Sequence, residues 1–415
     1  MGLASPSKWM TRGINEQALW GECQGSGSKP YQTQVDLTSI AFKCSCPSRK
    51  FPCKHGLGLM LLHARQSNLF TESNMPAWVN DWISKRSEKE VKKAEAIDKP
   101  VDEAAQAKRQ EARTQKVSAG IQELLIWLKD IIRSGILSMP EKGDHYWDNM
   151  ARRMIDAQAS GLATMVRTLG ETRFWEEGWQ SDFMDALLRL YTVAESYENL
   201  SLVNEALQQD ILRTIGFTSS LEELKTQEGT NDTWLILGKE TTAEGALTIE
   251  QNWLYGVQHN IYALILQFYT KGQPAEISLM PGTYLNAELV YFPSALPYRA
   301  VIKSHTGLTA VASVEQKGFA DWQQLAFHET KVTATLPFHE DMPSLIQQLS
   351  PVKLQQDWWL KDQKGHLCKI SSEFKHIWKL LAWSGGAPLT MAVIGKENNY
   401  LPIGVWHHNT YKALS

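Results

Sequence analysis

Four metal-seeking side chains stand within twelve consecutive residues of this 415-residue chain, and they constrain its N-terminal part more than any other feature. From Cys44 to His55 the sequence reads CSCPSRKFPCKH: Cys-x-Cys, six intervening residues, then Cys-x-His. Zinc favours four ligands in a tetrahedron and takes thiolate sulfur and imidazole nitrogen readily. A strand puts residues i and i+2 on one face, so Cys44 and Cys46 can approach one ion together. Pro47 ends that strand, and Pro52 restricts the chain before the second pair. Cys53 and His55 then fall at the start of a helix, whose first N–H groups favour an anionic sulfur. Three thiolates and one imidazole fill the shell. The spacing therefore predicts one structural Zn²⁺ and no open position for chemistry.

The remaining cysteines agree with this reading. There are five, Cys23, Cys44, Cys46, Cys53 and Cys368. An odd number, with three clustered, is no disulfide framework and points to a reducing, cytoplasmic setting. No apolar run suits a secretory signal, and no stretch of 18 apolar residues suits a membrane span. Hydrophobic residues make up 43% of the chain, which excludes a wholly disordered protein. Charge is unevenly placed. Residues 1–70 carry eight bases (Lys8, Arg12, Lys29, Lys43, Arg49, Lys50, Lys54, Arg65) against Glu16, Glu22 and Asp36, while the chain as a whole has net charge −3. A basic head on an acidic body suggests an anionic partner for the head.

Patterning divides the chain into four stretches, giving an α+β multidomain protein. Residues 1–83 read as a small zinc-binding domain. Gln17–Cys23, Pro30–Leu37 and Ser39–Cys44 are expected strands, and a helix is expected from Cys53 to about Asn68, with a second short helix at 71–83. Residues 84–116, rich in Lys, Glu, Ala and Gln, read as a charged linker, either solvated helix or disordered. Residues 117–225 carry helical stripes, at Ile121–Ile132, Tyr146–Leu169, Phe183–Tyr197 and Leu200–Ile215, and predict a helical domain. Residues 226–415 predict an α+β domain with an antiparallel sheet. Its strands are expected at Trp234–Gly238, Ala246–Tyr255, Ile261–Tyr269, Tyr284–Phe292, Tyr298–His305, Leu389–Ile394 and Leu401–Trp406, and its helices at Asp321–His328, Pro343–Leu349 and Glu373–Trp383.

The cysteine-histidine stretch resembles the SWIM-type zinc finger, whose pattern is C-x-C, a variable gap, then C-x-H. Cys46-Pro47 and the Cys53-Lys54-His55 ending match it, as does the upstream lead-in from Trp20 and Gly21 through GSGSKPYQTQV. The long remainder is similar to the partner region of bacterial stand-alone SWIM proteins. Membership implies a ββα zinc fold used to bind DNA or protein. Such domains accompany transposases, SNF2-type ATPases and recombination factors, so the resemblance fixes no single activity.

Three function classes follow, the last of them an enzyme in the C-terminal region, which would need a pocket lined by converging polar groups. In the first, the head is a non-enzymatic nucleic-acid-binding module, with Lys43, Arg49, Lys50 and Lys54 around the metal contacting DNA phosphates. In the second, the chain is a scaffold whose C-terminal body docks a partner protein such as an ATPase, with the finger as a further contact. No Ser-His-Asp set or paired carboxylates stand out, and Gly25–Gly27 lacks the Lys-Ser/Thr ending of a phosphate-binding loop, so no catalytic residue is expected. His63 is expected to pack or face solvent, Cys23 and Cys368 to be structural, and His407 and His408 to face opposite sides of a strand.

Overall fold

The computed structural model describes residues 2–25, 29–38, 41–48, 53–97, 103–244, 247–270, 275, 277–309, 317–396 and 399–414. The chain divides into two compact units. One comprises 1–102 with 243–249 and 268–278, and the other comprises the rest.

The first unit is built on a four-stranded antiparallel sheet of β1 (Trp9–Ile14), β2 (Ala18–Cys23), β3 (Tyr31–Asp36) and β4 (Ala41–Cys44), paired in sequence order. Three of these strands follow the sequence expectation. The first, β1, is an addition, since WMTRGI has too weak an alternation to announce a strand. Helix α1 (Lys54–Arg65) follows β4, and α2 (Ala77–Ile97) follows α1. Strand β2 is buried on both faces. Leu19 and Cys23 join Trp9, Val35, Leu59, Leu62 and Phe70 in one core, while Ala18 and Trp20 join Val79 of α2 in another. Burying a Leu such as Leu59 or Leu62 contributes about 1.5–3 kcal/mol. Asp36 closes the β3 turn by accepting from the N–H (2.9 Å) and hydroxyl (2.6 Å) of Thr38, and it also holds Arg86 of α2 at 3.0 Å.

The second unit begins with helices. These are α3 (Glu103–Ser134), α4 (Asp144–Asp156), α5 (Ser160–Gly170), α6 (Trp179–Glu198), α7 (Glu205–Ile215) and α8 (Leu221–Thr226). The helical region therefore opens earlier than residue 117, with α3 taking up part of the stretch 84–116 and α2 running into it from the other side. One continuous core joins α3 to α7, with Ile121, Leu128, Trp147, Leu162, Phe183 and Ile211 among its members. The helix expected over Tyr146–Leu169 is corrected to two. Gln158 adopts φ 63°, the Gln158 N–H donates to the Ile155 carbonyl (2.8 Å), and the Ala159 N–H donates to the Met154 carbonyl (2.8 Å). This is a Schellman ending with Gln where Gly is usual, which is why the sequence hides it.

Next, β5 (Thr230–Glu244), β6 (Leu247–Gly256), β7 (Ile261–Thr270), β8 (Tyr284–Tyr291) and β9 (Arg299–Thr309) close into a barrel in the order β5-β6-β7-β9-β8. A parallel pair, β7 with β9, completes the closure. Five strands in this order make a Greek-key barrel of the OB type. Helix α9 (Trp322–Thr335) leads to β10 (Ser344–Leu354), β11 (Asp357–Lys361), β12 (Leu367–Ile370), α10 (Ile377–Ser384), β13 (Leu389–Lys396), β14 (Asn399–His407) and β15 (Thr410–Ala413). These strands form a second sheet, β12-β11-β10-β13-β14-β15, antiparallel except where β12 also meets β14. The expected α+β region with an antiparallel sheet is present, and its strands form two sheets, one of them closed.

The expected helix at Pro343–Leu349 is corrected to strand β10. Leu345, Ile346 and Leu349 sit at helical spacing, but the strand carries a register shift between Ile346 and Leu349 with Gln348 at φ 55°. A bulge of this kind breaks the period of two and hides the strand. Leu345 packs into the core shared with the barrel, among Leu235, Leu237, Trp253 and Tyr255, and Ile346 packs into the core under α9 and α10 with Trp322, Leu325 and Leu380.

Candidate metal centre

Each ligand position follows from a local element. Cys44 ends β4, opposite Thr33 of β3 in the antiparallel register. Cys46 lies in the turn beyond, which is tied back to β3. The Ser45 N–H donates to the Gln32 carbonyl (3.0 Å), and the Gln32 N–H donates to Ser45 Oγ (2.9 Å). Cys53 is the residue before the first turn of α1, with extended backbone (φ −73°, ψ 161°), and His55 is in that first turn. Gly56 brings the turn against Phe42 of β4. A Cβ there would stand 2.8 Å from the Phe42 ring, so any other residue would have to push that ring or the helix aside.

These four residues converge. One ligand atom from each of Cys44, Cys46, Cys53 and His55 lies within 4.8 Å of all the others. His55 Nδ1 is 3.8 Å from Cys44 Sγ and 4.0 Å from Cys53 Sγ. Zinc–sulfur bonds of about 2.3 Å and zinc–nitrogen bonds of about 2.0 Å in a tetrahedron place ligand atoms roughly 3.5–3.8 Å apart. The observed spacings need only a slight contraction to fit one ion. Cys53 and His55 are buried, Cys44 and Cys46 half-buried, and the Tyr31 ring packs on His55 at 5.0 Å between centroids. Such a cluster is able to bind one zinc ion, and among the described residues no fifth His, Cys, Asp or Glu joins it.

The electrostatics suit a metal. The Cys53 thiol is pushed down to about 4, first by its hydrogen bond with Cys44. Burial opposes the shift, and the N–H groups of Gly56 and His55 in the first turn of α1 add to it, as does Cys46. Cys44 is pushed upward, by the same shared hydrogen bond and by burial, although Thr33 Oγ1 lies 3.2 Å from its sulfur and favours the thiolate. The two shifts oppose each other because both sulfurs contend for one hydrogen bond, and a cation in that place would take both as thiolates. Thr33 and Tyr31 were not legible as participants. Their only signal is position, one opposite Cys44 and one at the start of the strand that faces it.

The basic residues expected around the metal are partly described. Lys43 and Lys54 are both exposed, each next in sequence to a ligand. Arg49 and Lys50 lie outside the described residues. Among the described residues His63 joins no ligand cluster, and it packs edge-on against Phe70 at 5.0 Å. Cys23 is buried in the head core, and Cys368 in the core under α9 and α10. His407 and His408 do not face apart as an uninterrupted strand would require. The chain turns at His408 (φ 47°) and Asn409 (φ 59°), and the two rings come to 4.0 Å.

Residues 31–64 match the family model of the SWIM zinc finger, and residues 112–215 match that of the SWIM-associated four-helix bundle domain. The chain therefore carries a SWIM zinc finger and, after it, the helical domain associated with such fingers. The match to the finger starts at β3, so β3, β4 and α1 are its ββα core, and β1 and β2 extend its sheet. No curated protein matches the chain, and no solved structure does. Among the described residues, no helix is long and apolar enough to cross a membrane.

Proposed function

We propose that the chain is a non-enzymatic recognition protein whose zinc finger binds nucleic acid, DNA in the first instance. The observation that carries this reading is the placement of Lys43 and Lys54. Both are exposed beside a ligand cluster that is itself buried or half-buried, so the metal fixes where two cations are presented. A shell filled by protein ligands leaves zinc a structural task, and Lys side chains on a rigid frame suit phosphate oxygens. The excess of bases over residues 1–70 favours the same class of partner.

Fluorescence anisotropy of the full chain with duplex DNA, at low and high salt, tests this. Affinity is expected to fall as salt rises. Lys43→Glu with Lys54→Glu should weaken binding by tenfold or more and reduce the log–log salt slope by about 2. Absence of binding at low salt removes the reading.

A second reading, docking of a protein partner, is favoured by a different observation. The outward side of α1 exposes Leu57 (53%) and Leu61 (40%), one turn apart. An apolar pair at i, i+4 beside a cation suits a protein surface better than a phosphate backbone. Leu57→Asp separates the readings, since it should abolish capture of a protein partner and spare DNA binding.

A further inference from the structure

In the second unit, a cavity of about 410 Å³ is bounded by α5, α6 and α7, by the loop from β8 to β9, and by the segment after α9. Three guanidinium groups line it, those of Arg189, Arg213 and Arg299. Their surroundings differ. Arg189 donates to the His339 carbonyl at 3.1 Å. Arg213 pairs with buried Asp210 at 3.1 Å and also donates to the Pro293 carbonyl, and Asp210 spends its second oxygen on the Ala295 N–H at 2.7 Å. Arg299 stacks over Phe292 (5.0 Å), as Arg213 does (5.2 Å), so two cations share one ring. Among the described residues Arg299 forms no ion pair. Glu340 also lines the cavity and acts on both guanidiniums electrostatically, but it lies beyond ion-pair distance of either.

Beside Arg299 stands Tyr298, only 6% exposed, whose hydroxyl has no hydrogen-bond partner among the described residues. Arg213 Nε is likewise buried and without a partner. A buried polar atom without a partner costs about 1–3 kcal/mol, and native proteins keep few of them. Both residues line the cavity together with Arg299, whose guanidinium has no ion-pair partner among the described residues. Met165, Leu296, Leu336, Phe338 and Met342 supply its apolar wall. Convergent polar groups facing an apolar wall in a cavity of this size are what small-ligand sites look like.

We propose that this cavity binds a small organic anion. Its phosphate or carboxylate head sits against Arg299, Arg213 and the Tyr298 hydroxyl, and its apolar part against Met165, Leu296 and Phe338. Guanidinium forks match the oxygens of both head groups. Tyr298 donates the one hydrogen bond it otherwise lacks. Glu340 opposes the ligand's charge, and it therefore sets a threshold on affinity. The site is independent of the zinc finger and of the reading given above for it.

Calorimetry and thermal-shift measurements on the full chain, at constant ionic strength, test this with phenyl phosphate and phenylacetate as probes and with inorganic phosphate and acetate as their tail-less controls. At least one aromatic probe should bind saturably, tenfold or more tighter than its control. Arg299→Gln should weaken it tenfold or more, and Glu340→Gln should strengthen it. Tyr298→Phe should weaken it severalfold while leaving the melting temperature of the ligand-free protein unchanged or higher, because its hydroxyl has no bond to lose. A merely structural tyrosine would lower that temperature. Saturation by the phosphate alone or the carboxylate alone supports the proposal and assigns the head group. Saturation by neither probe overturns it, and so does equal binding by wild type, Tyr298→Phe and Glu340→Gln, even if Arg299→Gln fails to fold.

Discussion

Thr33 is placed where a side chain outside the ligand set would tune a bound metal. Its Oγ1 lies 3.2 Å from Cys44 Sγ, on the strand directly across from that ligand. Hydrogen bonds to ligand atoms orient them and adjust their basicity, and losing one typically costs 10–100-fold in metal affinity. Thr33→Val keeps the β-branched shape and removes only the hydroxyl. It is expected to weaken zinc binding roughly tenfold in a chelator-competition titration and to leave the fold intact, and unchanged affinity would make Thr33 a bystander. The four ligands themselves were legible, because Cys and His at paired short spacings lie close together along the chain. Arg213, Tyr298, Arg299 and Glu340 were not. They come from α7, from the edge of the barrel and from the stretch after α9, and nothing local marks them as neighbours.

Helix α5 meets α7 more closely than side chains would allow. A Cβ on Gly161 would stand in contact with the backbone of Thr214 and Ile215, which has no flexible end to move aside. Gly161→Ala should therefore destabilise the second unit by about 1–3 kcal/mol in chemical denaturation, and a neutral result would show that the helices can part freely. The sequence suggested one helix through this region, since Gly161 and Gln158 do not interrupt the apolar stripe. The ending of α4 depends on a left-handed Gln, whereas α7 ends with Gly216 at φ 120° and a Phe217 N–H bonded to the Leu212 carbonyl at 2.9 Å. The second ending can be read from residue type, and the first cannot. Among strands, β5 to β9 were legible as apolar runs between turns. Strand β10 was not, because its bulge lets three large apolar residues at helical spacing all be buried.

In the chain as a whole, stability is divided among separate cores. The head relies on a few large side chains around Trp20 and Leu59, and a small core of this kind gains much from a bound metal. The helices and the two C-terminal sheets have larger cores built from their own residues. Cys53→Ser is thus expected to abolish zinc binding and to remove hydrogen-exchange protection from β1 to α1, with protection from α3 to β15 retained. Loss of protection throughout would mean that the metal supports the entire chain.

The barrel carries a further consequence. Barrels of the OB type commonly offer the outer face of their second and third strands to oligonucleotides and sugars. In this chain that face, with Trp253, Tyr255 and Leu264, is already spent on Leu345, Ala392, Ile403 and Trp406 of the second sheet, and the Tyr411 hydroxyl fastens the two by donating to the Leu237 carbonyl at 2.6 Å. A shape that elsewhere serves as a landing strip here serves as a joist. Anyone dividing the gene should keep the stretch from β5 to β15 whole, because either half expressed alone would wear its neighbour's greasy wall as an outer coat.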